Sequence, residues 1–335
     1  MTRAPLSVLD LAMVTKGQTS GDALAATARL AQCADELGCL RFWVAEHHNM
    51  RTVASTEPAV LIAHLAASTE RIRVGSGGVM LPNHAPLVVA EQFAMLEALH
   101  PDRIDLGIGR APGSDRRTAQ ALRRGSDGTE DDQFPHHLLD VMGLLGDVRT
   151  ETGLFDHFVA TPVATSSPAV ALLGSSGFSA RLAGILGLPF GFAHHFDMGG
   201  TAQAAEIYRD NFQPSPVLSE PYLIVTAVTM AAPTEAEAER LLYPHRLRKY
   251  GMRTGRMFEL MTPEEAEAHP EFAQAMEQPS NSIAGTADQV AAGLDELAAR
   301  MGAAELMVTI PAGDIADRID SLQRTTAAWN VPATV

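Results

Sequence analysis

The chain alternates strand-like and helix-like segments along its whole length, and this alternation constrains its fold more than any other feature. Eight short apolar runs are separated by longer segments whose apolar residues recur at helical spacing. Because parallel strands need crossover helices, the alternation predicts a parallel α/β fold. The predicted strands are Val8–Val14, Phe42–Ala45, Ile72–Leu81, Ile104–Ile108, Ala169–Leu173, Phe190–Ala193, Tyr222–Met230 and Leu306–Ile310.

The number of strands favours a closed (β/α)₈ TIM barrel over a doubly wound sheet. A dinucleotide-binding sheet would carry a glycine-rich turn after its first strand, and Thr15-Lys16-Gly17 does not form one. We therefore predict a single barrel domain over residues 1–335. Two less regular stretches interrupt the pattern: an insertion at about 111–165, after the fourth strand, and a segment at about 244–282, after the seventh.

Composition excludes several other classes of protein. With 25 basic against 40 acidic side chains, the net charge is −15, and no dense Lys/Arg cluster offers a face to nucleic acid. No apolar stretch approaches the ~20 residues of a membrane span, and the N-terminus has no signal-peptide pattern. The two cysteines, Cys33 and Cys39, suggest reduced, buried thiols rather than a disulfide framework. We expect a cytoplasmic protein without nucleic-acid or membrane partners.

Unusual polar residues follow the predicted strands, where TIM barrels place their chemistry. Together they outline the mouth of a barrel with imidazoles and anion-binding groups. These residues are Glu46, His47 and His48 after the second strand, Asn83 and His84 after the third, Arg110 after the fourth, Ser175 and Ser176 after the fifth, and His194 and His195 after the sixth.

The Ser175–Ser179 segment reads as a strand end, a small polar turn and the start of a helix at Ser179. Backbone N–H groups at a helix N-terminus bind phosphate well, and Gly177 lets the backbone approach closely. An ordinary helix cap is the alternative. Arg110 favours the phosphate site because its guanidinium suits a pair of phosphate oxygens, although it could instead pair with Asp115.

The Glu46-His47-His48 run suits a general base better than a metal site. Neighbouring side chains on extended backbone point in opposite directions, so adjacent histidines rarely share one ion, and we predict no metal. A buried structural histidine is the alternative. Gly75, Gly77 and Gly78 within the third strand indicate either a flat ligand against the backbone or tight packing.

Several segments together resemble the luciferase-like flavin-dependent monooxygenases, from about Leu6 to Leu322. They are FWVAEHHN, RIRVGSGGVMLPNHAPLVVAEQFAMLEALHPDRIDLGIGRAPGSD, LLGSSGFSARLAGILGLPFGFAHHF and IAGTADQVAAGL. The resemblance implies a TIM barrel that binds FMN at its C-terminal mouth.

The resemblance also implies roles for individual residues. His47 matches a histidine that acts as a base and supports the flavin oxygen adduct, and Gly77-Gly78 matches a non-prolyl cis peptide under the flavin ring. His194 matches a position beside the isoalloxazine. The phosphate-binding positions are Arg110, Ser175, Ser176, Gly177, Phe178 and Ser179. Residues 244–282 match a mobile lid, and the candidates on the substrate or lid side are Glu46, His48, Arg246, Lys249 and Arg253.

Two positions depart from the luciferases: Gly109 stands at their reactive cysteine and Gly174 at a glutamate near the phosphate turn. These departures argue against light emission and an aldehyde substrate. We predict a homodimeric monooxygenase that takes reduced FMN from a separate reductase. Reduced FMN would react with O₂ to form a C4a-hydroperoxyflavin, which would oxygenate a small organic substrate. The alternatives are deazaflavin-dependent hydride transfer, a non-catalytic flavin-binding protein and a metal-dependent hydrolase.

Overall fold

A computed structural model describes residues 3–111, 113–122, 130–196, 199–256 and 258–330, and it confirms the predicted (β/α)₈ barrel. Seven parallel strands follow one another around the barrel, and the last strand closes it by pairing with both the seventh and the first. An additional short strand pairs only with the end of the seventh. The strands are β1 (Leu6–Asp10), β2 (Arg41–Val44), β3 (Arg73–Met80), β4 (Ile104–Gly109), β5 (Ala169–Gly174), β6 (Phe190–Phe192), β7 (Leu223–Ala231), β8 (Ile283–Gly285) and β9 (Glu305–Thr309).

In the part of the chain that the structure describes, eight helices pack outside the barrel and five shorter or inserted ones extend it. The outer helices are α1 (Ser20–Glu36), α2 (Pro58–Ala67), α3 (Pro86–Leu99), α5 (Glu130–Leu144), α6 (Gly177–Leu186), α7 (Thr201–Asp210), α12 (Ala287–Met301) and α13 (Ile315–Trp329). The others are α4 (Arg116–Leu122), α8 (Glu235–Leu241), α9 (Tyr243–Arg253), α10 (Pro263–Glu267) and α11 (Phe272–Met276). Within the described residues, no helix is both long and apolar enough to cross a membrane.

Alternation along the strands divides the core into two parts. Val8 and Phe42 face outward into the large apolar layer between sheet and helices, whereas Leu9 and Trp43 face the barrel axis. The inner cluster also contains Ala171, Ile224 and Met307. Cys33 and Cys39 are free and buried, as the sequence suggested.

Element boundaries differ from the sequence-based predictions at two places near the site. The first strand was expected to run to Val14, but β1 ends at Asp10 because the backbone turns at Ala12, whose φ is 48°. The helix expected from Ser179 starts at Gly177, because Ser176 already has the extended backbone of an N-cap. Both differences place backbone polar groups at the mouth.

Both irregular stretches contain helices. Residues 111–165 contain α4 and α5, although 112 and 123–129 lie outside the described residues. Residues 244–282, expected to be irregular, contain three helices. Leu247, Ala266 and Ala275 pack α9, α10 and α11 around a small apolar cluster of their own, which explains how this segment forms helices away from the barrel core.

Candidate active site

A cavity of about 300 Å³ lies at the C-terminal mouth of the barrel. Small residues near the strand ends, including Ala45, Gly109 and Gly191, leave this space open. The structure brings most of the predicted cofactor residues together in its wall. Those that line it are His47, Gly77, Gly78, Arg110, Ser175, Ser176 and Ser179.

The N-terminus of α6 provides anion-binding groups at the cavity. Ser176 is the N-cap residue but makes no side-chain cap hydrogen bond, so its hydroxyl does not satisfy the N–H groups of the first turn. Gly177, Phe178 and Ser179 form that turn, and their N–H groups lie where a phosphate can accept from them. Gly174 precedes it, and a Cβ there would lie 2.8 Å from Ser179 Oγ, so a larger side chain does not fit.

Arg110 lies beside this turn without a carboxylate partner among the described residues. Its guanidinium carbon is 4.4 Å from the centre of the Phe178 ring. The alternative ion pair with Asp115 is not formed. Asp115 instead accepts hydrogen bonds from the backbone N–H groups of Arg117 and Thr118. The guanidinium is therefore positioned on an aromatic face with its charge available to a ligand.

The glycines of β3 are explained mainly by packing within the barrel. A Cβ at Gly77 would lie 2.7 Å from Leu9 Cδ1, and one at Gly78 would lie 2.7 Å from the carbonyl oxygen of Gly107. Gly75 is equally close to Asp105. The Gly77–Gly78 peptide is cis, as the resemblance implied, and both residues also face the cavity.

His47 lines the cavity with a defined tautomer. Its Nδ1 lies 3.1 Å from the carbonyl oxygen of Gly113, which can only accept, so Nδ1 carries the proton. Burial is the main cause that lowers the pKa of His47, and the nearby Arg248 lowers it further. The imidazole is therefore neutral near pH 7, and its Nε2 keeps a lone pair that can accept a proton.

Glu46 joins the loops after β2 and β3 rather than lining the cavity. Its fully buried carboxylate accepts from His48 Nε2 at 2.8 Å, His84 Nε2 at 3.0 Å and the Met80 N–H at 2.9 Å. Burial raises the pKa of Glu46, but the His84 hydrogen bond and charge outweigh it, so the pKa is lowered. The pKa of His84 is raised by the same contact.

Glu46, His48 and His84 are also close enough to share a metal ion, since their ligand atoms lie within 4.8 Å of one another. The sequence analysis considered only the adjacent pair His47 and His48, and the structure separates these two side chains. One carboxylate oxygen of Glu46 already accepts from a backbone N–H. The lowered pKa of Glu46 and the raised pKa of His84 fit a carboxylate–imidazolium pair, so we interpret the trio as a hydrogen-bonded support for the His47 loop.

The turn after β6 presents His195, not His194, to the cavity. His194 Nδ1 lies 2.8 Å from Thr201 Oγ1, and the His194 carbonyl accepts from Asn281 at 2.6 Å. His195 lines the cavity, and its buried Nδ1 has no hydrogen-bond partner among the described residues. Burial, with the neighbouring His194, His47 and Lys249 charges, lowers the pKa of His195 to about 3.

A second chamber, of about 390 Å³, adjoins the first and shares His47, His195, Leu11 and Phe196 with it. One face of α9 forms part of its wall, at helical positions i, i+3, i+4, i+7 and i+8. The residues of that face are His245, Arg248, Lys249, Met252 and Arg253.

The structure therefore sorts the predicted residues on the lid side. Lys249 and Arg253 line the second chamber, whereas Arg246 donates to the carbonyl oxygens of Met276 and Gln278 on α11 and its following turn. His245 and Arg248 were missed by sequence reasoning. The helical period within 243–253 would have found them, but the segment was treated as irregular and no period was applied.

The fold and the mouth together define a (β/α)₈ barrel with an uncapped helix N-terminus and neutral imidazoles at the C-terminal ends of its strands. The family model described as luciferase-like monooxygenase matches residues 5–305. The chain belongs to this family, and it is an oxidoreductase.

Similar proteins support this assignment. A luciferase-like monooxygenase of Escherichia coli (strain K12) is 40% identical over 323 residues, covering 95% of this chain and 94% of that protein. The N-acetyl-S-alkylcysteine monooxygenase of Bacillus subtilis (strain 168) is 37% identical over 297 residues, covering 87% and 88%.

Solved structures agree with the fold over the whole chain. The crystal structure of apo-MsnO8 is 37% identical and superposes with a TM-score of 0.88, covering 99% of this chain and 100% of that one. More distant barrels share the fold alone. They include the oxygenating constituent of 3,6-diketocamphane monooxygenase in complex with FMN (17% identity, TM-score 0.74) and an F420-dependent secondary alcohol dehydrogenase (15%, 0.69).

Proposed function

We propose that the protein is a monooxygenase that uses reduced FMN and O₂ to oxygenate a small organic substrate. The observation that carries the proposal is the meeting, in one cavity, of Arg110, the uncapped N-terminus of α6 and the neutral His47. These groups fit FMN, because the first two offer charge-assisted and backbone donors to its phosphate. Complexes of this fold with FMN and with F420 make either cofactor chemically reasonable, and the experiment below separates them.

In this proposal Arg110, Ser175, Ser176 and the first turn of α6 bind the phosphate, while Gly77 and Gly78 leave room for the ring system. Reduced FMN supplies the electrons that activate O₂. His47 accepts a proton at Nε2, because its Nδ1–H is held by the Gly113 carbonyl. Glu46 and His48 keep that loop in place through their hydrogen bond.

Residues 244–282 are proposed as the lid over the second chamber, where α9 would exclude water during the reaction. A separate flavin reductase is proposed as the source of reduced FMN. Homodimer formation is proposed through α2 and α3, whose apolar side chains Val60, Val88, Met95 and Leu99 are exposed. Light scattering of the purified protein tests the dimer directly.

The central experiment titrates the protein with oxidised FMN, with anaerobically reduced FMN and with F420, and measures each Kd. We expect reduced FMN to bind with the lowest Kd. On mixing with air-saturated buffer, absorbance should show that bound FMN is reoxidised more slowly than free FMN, and that His47→Asn shortens this delay. His64→Asn, which changes an exposed histidine on α2, is the matched control.

Binding of F420 with no binding of FMN in either redox state would replace the proposal with deazaflavin-dependent hydride transfer. FMN binding with reoxidation as fast as that of free FMN would leave a flavin-binding protein without oxygenase activity. An unchanged delay in His47→Asn would remove His47 from the mechanism while keeping the cofactor.

A further inference from the structure

Three basic side chains of α9, Arg248, Lys249 and Arg253, line the second chamber, and among the described residues of its wall Asp10 is the only carboxylate. Asp10 is already neutralised, since it accepts from Arg318 Nη2 at 2.6 Å. The described wall therefore offers no carboxylate to the Arg248 guanidinium.

Four buried polar atoms of the chamber have no hydrogen-bond partner among the described residues: His195 Nδ1, His245 Nε2, Arg248 Nε and Arg318 Nε. The guanidinium of Arg318 already pairs with Asp10 through Nη2, which leaves the other three. Buried polar groups in proteins are nearly always paired, and an unmade bond to a charged group is costly. Three such atoms around one space indicate that their partner is a ligand.

Arg248 is the most informative of the three. It is half-buried, and its pKa is lowered by burial alone, with no carboxylate raising it. It lies close enough to lower the pKa values of both His47 and His245. The pKa of His245 falls to about 3, mainly because of burial, so this imidazole is neutral at physiological pH. The charge to be balanced is therefore that of Arg248.

The remainder of the wall is apolar and adaptable. It includes three methionines, whose unbranched side chains fit ligands of varied shape, together with aliphatic residues from the loops after β1 and β9. These residues are Leu11, Met13, Met50, Met252, Leu260, Ile310 and Pro311. Such a wall suits an apolar body attached to a single charged group.

We propose that the substrate is a small apolar carboxylic acid whose carboxylate is bound by Arg248, with His245 and His195 completing its hydrogen bonds. This assignment rests on the proposed function, since the chamber is the substrate site only if the adjoining cavity holds the cofactor. His47 and His195 border both spaces, so the bound acid would lie next to the oxidising centre.

The test compares acids with their uncharged amides on FMN-saturated protein by calorimetry. The probes are octanoate with octanamide, 3-phenylpropanoate with 3-phenylpropanamide, and N-acetyl-S-methylcysteine with its amide. We expect at least one acid to bind about tenfold or more tightly than its amide, and Arg248→Gln to remove that preference. Arg29→Gln, which removes the same charge from an exposed position on α1, should leave the preference intact.

A second measurement needs no probe. Arg248→Met should raise the Tm of the unliganded protein, by about 1 to 2 °C, because it removes an unbalanced buried charge. A purely structural arginine would give a lower Tm.

Equal binding of acids and amides, no detectable binding of any acid, or a preference that survives Arg248→Gln would overturn the proposal. So would a weaker FMN affinity in Arg248→Gln, because it would place the guanidinium on the cofactor. Failure of the proposed function is seen separately, as absence of FMN binding before any probe is added.

Discussion

The two ends of the barrel contain the same kinds of charged residue but treat them in opposite ways. At the N-terminal end of the strands, Arg41 contacts both Asp105 and Glu305 at 2.9 Å, and Arg73 contacts Asp105 at 2.7 Å. Tyr222 donates to Glu305 at 2.8 Å. Every charge of this network has a protein partner.

At the C-terminal mouth, by contrast, Arg110 stands on an aromatic ring, and buried atoms of Arg248 and His195 have no partner among the described residues. The comparison teaches that pairing, rather than burial or residue type, separates a structural charge from a functional one. Charges that are satisfied within the chain close the barrel, and charges left unsatisfied are set to meet a ligand.

The largest effect is expected from Asp105→Ala, which breaks the charged network at the N-terminal end of the strands. It leaves two arginines and the Trp43 indole N–H without their shared acceptor, so we expect a loss of about 3–5 kcal/mol in the free energy of unfolding. Urea denaturation measures it, with Asp210→Ala, which removes an exposed carboxylate at the end of α7, as a control. A loss below about 1 kcal/mol would mean that Glu305 alone can hold this end together.

Acid pH should destabilise the C-terminal mouth of the barrel more than the N-terminal end of the strands. Unfolded histidines bind protons below about pH 6.5, whereas the folded His195 and His245 do so only near pH 3, so lowering the pH favours unfolding. Between pH 7 and 5 the wild type should lose about 2–4 kcal/mol more stability than the double variant His195→Gln/His245→Gln. His84 acts in the opposite direction, but equally in both proteins. If the wild type and the double variant lost the same stability over this pH range, the two imidazoles would be hydrated in the folded protein.

Arg110→Ala should weaken binding rather than folding. Losing a charge-assisted contact to phosphate costs about 2–3 kcal/mol, so the Kd for FMN should rise roughly 30- to 150-fold with little change in Tm. Fluorescence titration measures the Kd, and Arg117→Ala, at an exposed position of α4, is the control. A loss of stability with unchanged FMN affinity would show that Arg110 stabilises the fold and does not bind the phosphate.

The smallest expected effect is that of Phe178→Leu. This change keeps an apolar side chain but removes the ring below Arg110, and a cation–π contact is worth about 0.5–1 kcal/mol at an exposed site. The Kd for FMN should rise roughly two- to fivefold in the same titration. Phe158→Leu serves as a contrast, since Phe158 is exposed and does not line the cavity. An unchanged Kd would show that the ring does not orient the guanidinium.

The barrel was predictable from the sequence because eight strand-like runs alternate with helical periods over long stretches. The three-residue β8 was not, since so short a segment carries no period and forms only by pairing with the end of β7. The end of β1 at Asp10 was missed because the following residues stay apolar, while the positive φ of Ala12 is a property of the fold.

The polar turn between β5 and α6 was predictable because strand end, turn and helix start are adjacent in the chain. The choice between His194 and His195 was not, because a single turn of helix after β6 decides which side chain faces inward. The charged network at the N-terminal end was also not predicted, because Arg41, Asp105 and Glu305 meet only when the barrel closes. Arg248 has its orientation fixed by α9, and it was missed because the whole of 244–282 was interpreted as irregular although 243–253 has a helical period.

The positions of Arg110 and Arg248 at the mouth have a kinetic consequence in a chain of net charge −15. At long range the net charge should repel an incoming anion, whereas at the mouth these guanidinium groups should attract it. Dissolved ions screen the distant repulsion over a Debye length of about 8–10 Å but reach the enclosed cations less effectively. Moderate ionic strength should therefore speed the arrival of FMN and of acidic ligands, the reverse of the behaviour of a surface that attracts its ligand from afar.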